Sequence, residues 1–138
     1  MMYNKYSKLY LAYGANMHPG QMKWRCPSAI SSQAFILRDW KLKFYNHATI
    51  EPQKGGEVAG VLWQITTDCE QSLDAFEGFP NYYTKRTWQQ DGIRFFFYEM
   101  TTPKSGRPSQ GYVSDIAESY AFWQLPESLL TESLNDPA

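Results

Sequence analysis

The sequence predicts a single domain of the mixed class, with both strands and helices, which follow one another without long linkers. Three observations support this class: apolar runs ended by turn residues, segments with helical spacing of apolar side chains, and a hairpin signal between two aromatic-rich strands. A chain of 138 residues fits one domain that buries about two thirds of its unfolded surface. We expect one domain over residues 1–138, with its core at about residues 8–130.

The first predicted element is a buried strand at residues 9–13, a short continuous apolar run that Gly14 ends. A short helix is expected after it. Its start lies between Asn16 and Pro19, because Asn is a good N-cap and Pro is favoured in the first turn. Its end is expected near Cys26.

The next part of the chain predicts strands separated by turn residues. Apolar side chains alternate on odd positions up to Leu37 and on even positions from Trp40. A turn or bulge is therefore expected at residues 38–39, between two strand pieces. A further strand is expected at 58–65, after the turn-rich segment 52–56.

The second half of the chain predicts three helices and a β-hairpin from local signals: a capping box, an Asp-Gly turn, helical spacing of aromatic residues and a proline break. The predicted elements are a helix opened by the capping box Thr67–Glu70, strands at 82–88 and 93–100 joined by Asp91-Gly92, a helix near 109–123, and a short helix that starts at Pro126.

One acidic residue in this half has an unusual position. Cys69, Leu73 and Glu77 follow one another at i, i+4 spacing, so Glu77 is expected on the helix face that carries apolar side chains. Glu70 and Asp74 are expected on the solvent-exposed face. A carboxylate on an inward face, near a loop that ends a strand, indicates proton-transfer chemistry at a small polar pocket.

Composition and charge exclude several classes of partner. The formal net charge of -1 and the pI near 6.1 give no basic footprint, and the basic residues are not aligned with the aromatic ones. No nucleic acid partner is therefore expected. The first apolar run is too short for a signal peptide or a membrane span, so we expect a cytoplasmic protein without membrane contact.

The cysteines and histidines give no metal-binding pattern. Cys26 and Cys69 form no CxxC pair, and His18 and His47 have no HxxxH spacing, so no metal is expected. Free, partly buried thiols in a reducing compartment are expected instead, which agrees with a cytoplasmic location.

Several segments resemble the γ-glutamyl cyclotransferase family. Residues 13–17 (YGANM) are similar to its YGSNL loop, and residues 73–83 (LDAFEGFPNYY) are similar to its LDxxEGxPxxY segment. Residues 46–63 and 98–112 resemble further stretches of the family in the same order. The resemblance covers about residues 9–130 and is more specific than any single motif.

The resemblance implies a small α+β domain built on a mixed β-barrel flanked by helices, with the active cavity at the loop after the first strand. It implies conversion of a γ-glutamyl amine or γ-glutamyl amino acid to 5-oxoproline and the free amine, without metal or cofactor. The α-amine attacks the γ-carbonyl, and Glu77 is the general acid/base. The residues that the resemblance assigns to the substrate are Tyr13, Gly14, Ala15, Asn16, Met17, Tyr83, Tyr98 and Tyr112.

Other interpretations remain open at this point. A small-molecule-binding module could keep the fold and cavity without turnover, and an enzyme of a biosynthetic pathway could remove a γ-glutamyl group with the same glutamate. Glu77-Gly78 alone also fits an ordinary helix end with its C′ glycine. Ala15 replaces the family's usual Ser, which leaves the choice of substrate open. The sequence does not distinguish a monomer from a homodimer.

Overall fold

The computed structural model describes residues 8–136, apart from the side chain of Ser32, and confirms the α+β class. In chain order the elements are β1 (Lys8–Ala12), a 3-10 turn (Ala15–Met17), α1 (Pro19–Arg25), β2 (Ile30–Phe44), β3 (Ala48–Ile65), α2 (Thr67–Glu77), β4 (Tyr83–Gln90), β5 (Ile93–Met100), α3 (Gln110–Trp123) and α4 (Glu127–Asn135).

The five strands form one mixed sheet in the order β2-β3-β1-β5-β4. β1 lies in the middle, antiparallel to β3 and parallel to β5, where Tyr10 is paired with Phe96. Leu11 and Ala12 of β1 are almost fully buried. A strand covered on both faces has no solvent side, which explains why it is a continuous apolar run in the sequence.

The description of the sheet as a barrel holds only loosely, because the sheet is not closed by a backbone ladder. Side chains join its two edge strands instead. The side-chain amide of Gln90 on β4 accepts a hydrogen bond from Arg38 N (2.8 Å) and donates one to Ile36 O (2.9 Å) on β2. The guanidinium of Arg38 also forms a two-pronged ion pair with Asp91 in the β4–β5 turn. The sheet therefore curls round until its edges meet through side chains.

β3 begins ten residues earlier than the strand predicted at 58–65, because residues 48–52 pair with the second half of β2. The bulge predicted at residues 38–39 is confirmed: the register shifts there, and Asp39 has a φ of 69°. The turn-rich residues Gln53–Gly56 face this bulge and interrupt the ladder, so the turn signal was correct but did not end the strand.

α2 begins one residue earlier than the predicted capping box. Its N-cap is Thr66, whose hydroxyl accepts a hydrogen bond from Cys69 N at 3.1 Å. The predicted exposure of Glu70 is wrong: it is only 7% exposed and forms ion pairs with Lys8 and Lys85. Lys8 at the start of β1 and Lys85 on β4 offset the cost of burying that carboxylate, and the helical spacing could not reveal these two lysines.

The two cysteines are not free thiols, as the sequence suggested, but form a disulfide between Cys26 and Cys69. The bond joins the residue after α1 to the first turn of α2. A cytoplasmic location therefore has no support from free thiols. Within residues 8–136, none of the helices combines the length and apolar character needed to cross a membrane.

Candidate active site

A cavity of about 200 Å³ lies where the loop after β1, the end of α2 and the start of α3 meet. Eight of the nine predicted site residues line it: Tyr13, Gly14, Ala15, Asn16, Glu77, Tyr83, Tyr98 and Tyr112. The lining residues that were not predicted as site residues are Tyr10, His47, Ala48, Phe76 and Tyr82.

Met17 is the predicted site residue that does not line the cavity. Its side chain is fully buried in the core, and its carbonyl oxygen accepts a hydrogen bond from Trp123 Nε1 at 2.8 Å. This contact attaches the loop after β1 to the end of α3. Met17 therefore fixes the loop to the core and does not face the cavity.

Glu77 is the last residue of α2 and carries the carboxylate that faces the cavity. Gly78 follows in the left-handed conformation and caps the helix, with its N–H bonded to Ala75 O. Glu77-Gly78 is thus a helix end with its C′ glycine, and the side chain of Glu77 also lines the cavity. Burial raises the pKa of Glu77 to about 7, against the opposing positive charge of Arg25.

Asn16 links the loop to this carboxylate. It is only 3% exposed, and its Nδ2 lies 3.1 Å from Tyr10 Oη and 3.4 Å from Glu77 Oε1. Its Oδ1 accepts a hydrogen bond from Arg25 Nη1 at 2.9 Å. Periodicity could not predict the contact between residues 16 and 25, because it depends on how the chain turns between the 3-10 turn and α1.

The tyrosine hydroxyls of the cavity are held mainly by backbone groups. Tyr13 donates to Tyr98 O (2.5 Å), Tyr83 donates to Ala48 O (2.6 Å), and Tyr112 accepts from Ala48 N (3.0 Å). Burial raises the pKa of Tyr112 to about 12 and raises those of the other tyrosines as well. The phenols therefore stay uncharged at neutral pH, and Tyr112 keeps its own proton for donation.

Tyr98 is held in place from outside the cavity. Its hydroxyl donates to Asp74 Oδ1 at 2.6 Å, and Asp74 also forms an ion pair with Lys85. Lys85 in turn binds Glu70, so this chain of contacts connects β4, α2 and the cavity wall. It explains why Asp74 and Glu70 are acidic although neither lines the cavity.

The backbone at Gly14 lies close to the wall formed by α3. A Cβ at this position would lie 3.3 Å from Tyr112 Oη and 3.7 Å from Ala48 Cβ. The φ of Gly14 is -126°, which other residues also adopt, so the limit on a side chain here is the space beside Tyr112.

Within the described part of the chain, His, Cys, Asp and Glu side chains form no group of three or more that could hold a metal ion. The chemical groups that face the cavity are one carboxylate, several phenols, one amide and one imidazole. Such a set can move a proton and orient a polar ligand.

The chain matches the profile of the family described as gamma-glutamyl cyclotransferase, AIG2-like, over residues 10–119. A gamma-glutamylcyclotransferase from Bos taurus is 34% identical to it, in an alignment that spans 77% of this chain and 66% of the bovine protein. The chain thus covers slightly less than two thirds of that relative's length.

Two solved structures share the fold over nearly the whole chain. A gamma-glutamyl cyclotransferase superposes with a TM-score of 0.82 at 29% identity, covering 95% of this chain and 89% of that protein. A human protein described as uncharacterized superposes with a TM-score of 0.82 at 30% identity, covering 96% of this chain and 90% of that one. The similarity therefore extends to the arrangement of strands and helices.

Proposed function

The chain belongs to the gamma-glutamyl cyclotransferase, AIG2-like family, and on that premise we propose that it converts a γ-glutamyl amine or γ-glutamyl amino acid to 5-oxoproline and the free amine. The observation that carries the proposal is Glu77, whose carboxylate faces the cavity with its pKa raised by burial to about 7. A group that titrates near neutral pH can both accept and return a proton.

The proposed reaction needs one proton acceptor and no external nucleophile. The α-amine is mostly protonated near neutral pH, so it enters as the small neutral fraction or loses a proton to solvent first. The Glu77 carboxylate takes a second proton as the nitrogen attacks the γ-carbonyl carbon. The protonated Glu77 then gives this proton to the leaving nitrogen as the amide bond breaks. Ring closure is intramolecular, so holding the substrate folded removes most of the entropic cost.

The loop after β1 is suited to the polar end of the substrate. The N–H groups of Ala15 and Asn16 open the 3-10 turn, and the first N–H groups of a helical turn have no acceptor within that turn. We assign them to the substrate carboxylate or to the oxyanion of the tetrahedral intermediate. The phenol of Tyr112 is a second donor at the opposite wall, and Gly14 lets the two approach each other.

The proposed enzyme differs from a binding module in what it requires of Glu77. Burial of the Glu77 carboxylate raises its pKa and costs folding free energy. A binding module without turnover does not need a carboxylate that titrates near neutral pH. A cytoplasmic location and the absence of a nucleic acid partner remain predictions from the sequence.

A panel of γ-glutamyl compounds with different amine halves tests the proposal. The purified protein is incubated with each compound, and 5-oxoproline and glutamate are measured by mass spectrometry. We expect 5-oxoproline and free amine in equal amounts, and no product from a substrate whose α-amine is acetylated. Release of glutamate would indicate hydrolytic removal of the γ-glutamyl group, and binding without product would indicate a binding module.

A further inference from the structure

Arg25, at the end of α1, does not line the cavity, yet its guanidinium is connected to Glu77 through a single side chain. Arg25 Nη1 donates to Asn16 Oδ1 at 2.9 Å, and Asn16 Nδ2 lies 3.4 Å from Glu77 Oε1. We propose that Arg25 is a positioning residue that orients the Asn16 amide toward Glu77 and holds a fixed positive charge behind it. This inference rests on the proposed function, because it assigns Arg25 a role in the same reaction.

The orientation of the Asn16 amide follows from the chemistry of its neighbours. A guanidinium has only donors, so the atom of Asn16 that faces Arg25 must be the acceptor Oδ1. The Nδ2 group then faces the other way, toward Glu77 and Tyr10, which both offer oxygen atoms. Without the guanidinium, the amide could rotate and place its oxygen against the Glu77 carboxylate, where two acceptors would repel each other.

The guanidinium itself is held on two sides. It lies 3.6 Å from the centroid of the Phe76 ring, close enough for a cation–π contact. Its Nη1 also donates to Gln21 Oε1 at 3.1 Å, and Gln21 Nε2 donates to Asp115 on α3 at 2.8 Å. Phe76 precedes Glu77 in α2. The same helical turn therefore provides the ring that contacts the Arg25 guanidinium and the carboxylate whose pKa its charge lowers.

Arg25 also supplies the positive charge that opposes the effect of burial on the pKa of Glu77. The titratable groups that line the cavity around Glu77 are Tyr10 on β1, Tyr13 in the loop, His47 before β3, Tyr82 and Tyr83 at the start of β4, Tyr98 on β5 and Tyr112 on α3. The buried phenols among them are uncharged at neutral pH. Burial raises the pKa of Glu77, and the charge of Arg25 lowers it.

A direct titration tests this inference separately from the proposed function. The pKa of Glu77 is measured in the protein without substrate, from the ¹³C shift of its carboxyl carbon, which is assigned with Glu77→Gln. Wild type is compared with Arg25→Met and Arg25→Lys. Arg86→Met is the matched control, because Arg86 also pairs with a polar side chain, Glu99, and lies over an aromatic ring, but outside the cavity. The kcat and KM values of all four proteins are measured across pH.

Arg25→Met should raise the Glu77 midpoint by about one pH unit, because a positive charge close to a carboxylate commonly lowers its pKa by one unit or more. The kcat at pH 7 should fall by about tenfold while KM stays within about threefold, since Arg25 does not face the substrate. Arg25→Lys should restore most of the midpoint, because it keeps the charge, but only part of kcat, because it lacks the planar fork. Arg86→Met should match wild type.

An unchanged Glu77 midpoint in Arg25→Met would overturn the inference, and so would a loss confined to KM. If circular dichroism shows that Arg25→Met does not fold, Arg25→Gln takes its place, since it keeps an amide donor without the charge and should also raise the midpoint. A wild-type protein that forms no 5-oxoproline would reject the proposed function alone, because the titration still reports whether Arg25 acts on Glu77.

Discussion

Glu77 carries a carboxylate whose affinity for a proton is set by opposing influences. Burial at the end of α2 disfavours its charged form, as does the negative end of the helix dipole. Arg25 favours the charged form, and the resulting pKa is about 7. The carboxylate therefore exchanges its proton near neutral pH, as the proposed acid/base role requires.

Replacing Glu77 by Gln should remove nearly all activity and leave the fold intact. Gln has almost the same shape but cannot accept the proton of the α-amine, so a loss of about 10²- to 10⁴-fold in kcat/KM is expected. Steady-state formation of 5-oxoproline measures the loss, and circular dichroism checks the fold. A variant that keeps more than half of the wild-type rate would show that Glu77 is not the acid/base.

The loop after β1 allows its backbone and side-chain roles to be separated. Gly14→Val should reduce kcat/KM strongly, because a Cβ there lies 3.3 Å from Tyr112 Oη and the added methyl groups extend into the space between the loop and α3. Ala15→Ser is the matched control. It adds one hydroxyl, worth about 0.5–1.5 kcal/mol, so the rate should change by less than about tenfold.

Steady-state kinetics on both loop variants distinguish a loop that binds the substrate from an ordinary turn. A folded and fully active Gly14→Val protein would mean that the loop is an ordinary turn and that the substrate binds elsewhere. A change of a hundredfold or more in Ala15→Ser would mean that the side chain at this position contacts the substrate.

Some residues of the candidate site could be found in the sequence and others could not. Glu77 and the loop residues 13–16 stand in motifs, and their family resemblance places them at one cavity. Arg25 and His47 come close to Glu77 or the cavity only through tertiary contacts. Nothing in the spacing of residues 16, 25 and 77 indicates that their side chains meet, because three separate elements bring them together.

At the level of elements, α1 and α2 are joined by the disulfide between Cys26 and Cys69. Each cysteine lies next to an element that carries part of the site: Cys26 follows Arg25, and Cys69 lies in the helix that ends at Glu77. The two cysteines are 43 positions apart in the sequence, and cross-links of this kind stabilise a fold by about 2–4 kcal/mol, chiefly by restricting the unfolded chain.

Cys26→Ser should therefore lower the free energy of unfolding by about 2–4 kcal/mol, while kcat at 25 °C changes by less than about threefold. The sulfur atoms do not line the cavity, so the chemistry does not require them. Urea unfolding and steady-state kinetics measure the two effects, with and without a reducing agent. Loss of activity in a variant that is still folded would mean that the disulfide itself maintains the site.

The hairpin of β4 and β5 and the helix α3 were predicted nearly to the residue, because each has strong local signals. Asp91 and Gly92 both have positive φ, as the predicted turn requires, and Ser109 caps α3 through Tyr112 N. The early start of β3 was missed because its first residues are held by pairing with β2. Pairing between distant segments leaves no local signal.

At the level of the whole molecule, the curled sheet brings together side chains that are far apart in sequence. Its edge strands meet through Gln90, which takes the place of a strand partner for Ile36 and Arg38. The mixture of strands and helices could be predicted from the sequence, because each element has its own pattern, and the family resemblance implied the α+β class. The contact between the two edge strands could not be predicted, because a glutamine that bridges two strand edges has the same local pattern as a glutamine on the protein surface.

The free energy of unfolding of the whole chain should depend on pH because of Glu77. The ordinary pKa of a glutamate is 4.5, and burial raises that of Glu77 to about 7. Between these values the folded protein holds a proton that the unfolded chain has released, so raising the pH favours unfolding. At about 1.36 kcal/mol per pH unit, this one group should cost up to about 3 kcal/mol at pH 8.

Glu77→Gln removes this titration and should be more stable than wild type at pH 8 by up to about 3 kcal/mol, with the difference falling close to zero near pH 4.5. Urea unfolding of both proteins at several pH values measures it. Other titrating groups are common to the two proteins and cancel in the difference. A difference that does not change with pH would mean that the pKa of Glu77 is the same in the folded and unfolded states. Burial would then not adjust the pKa of this carboxylate for acid–base catalysis.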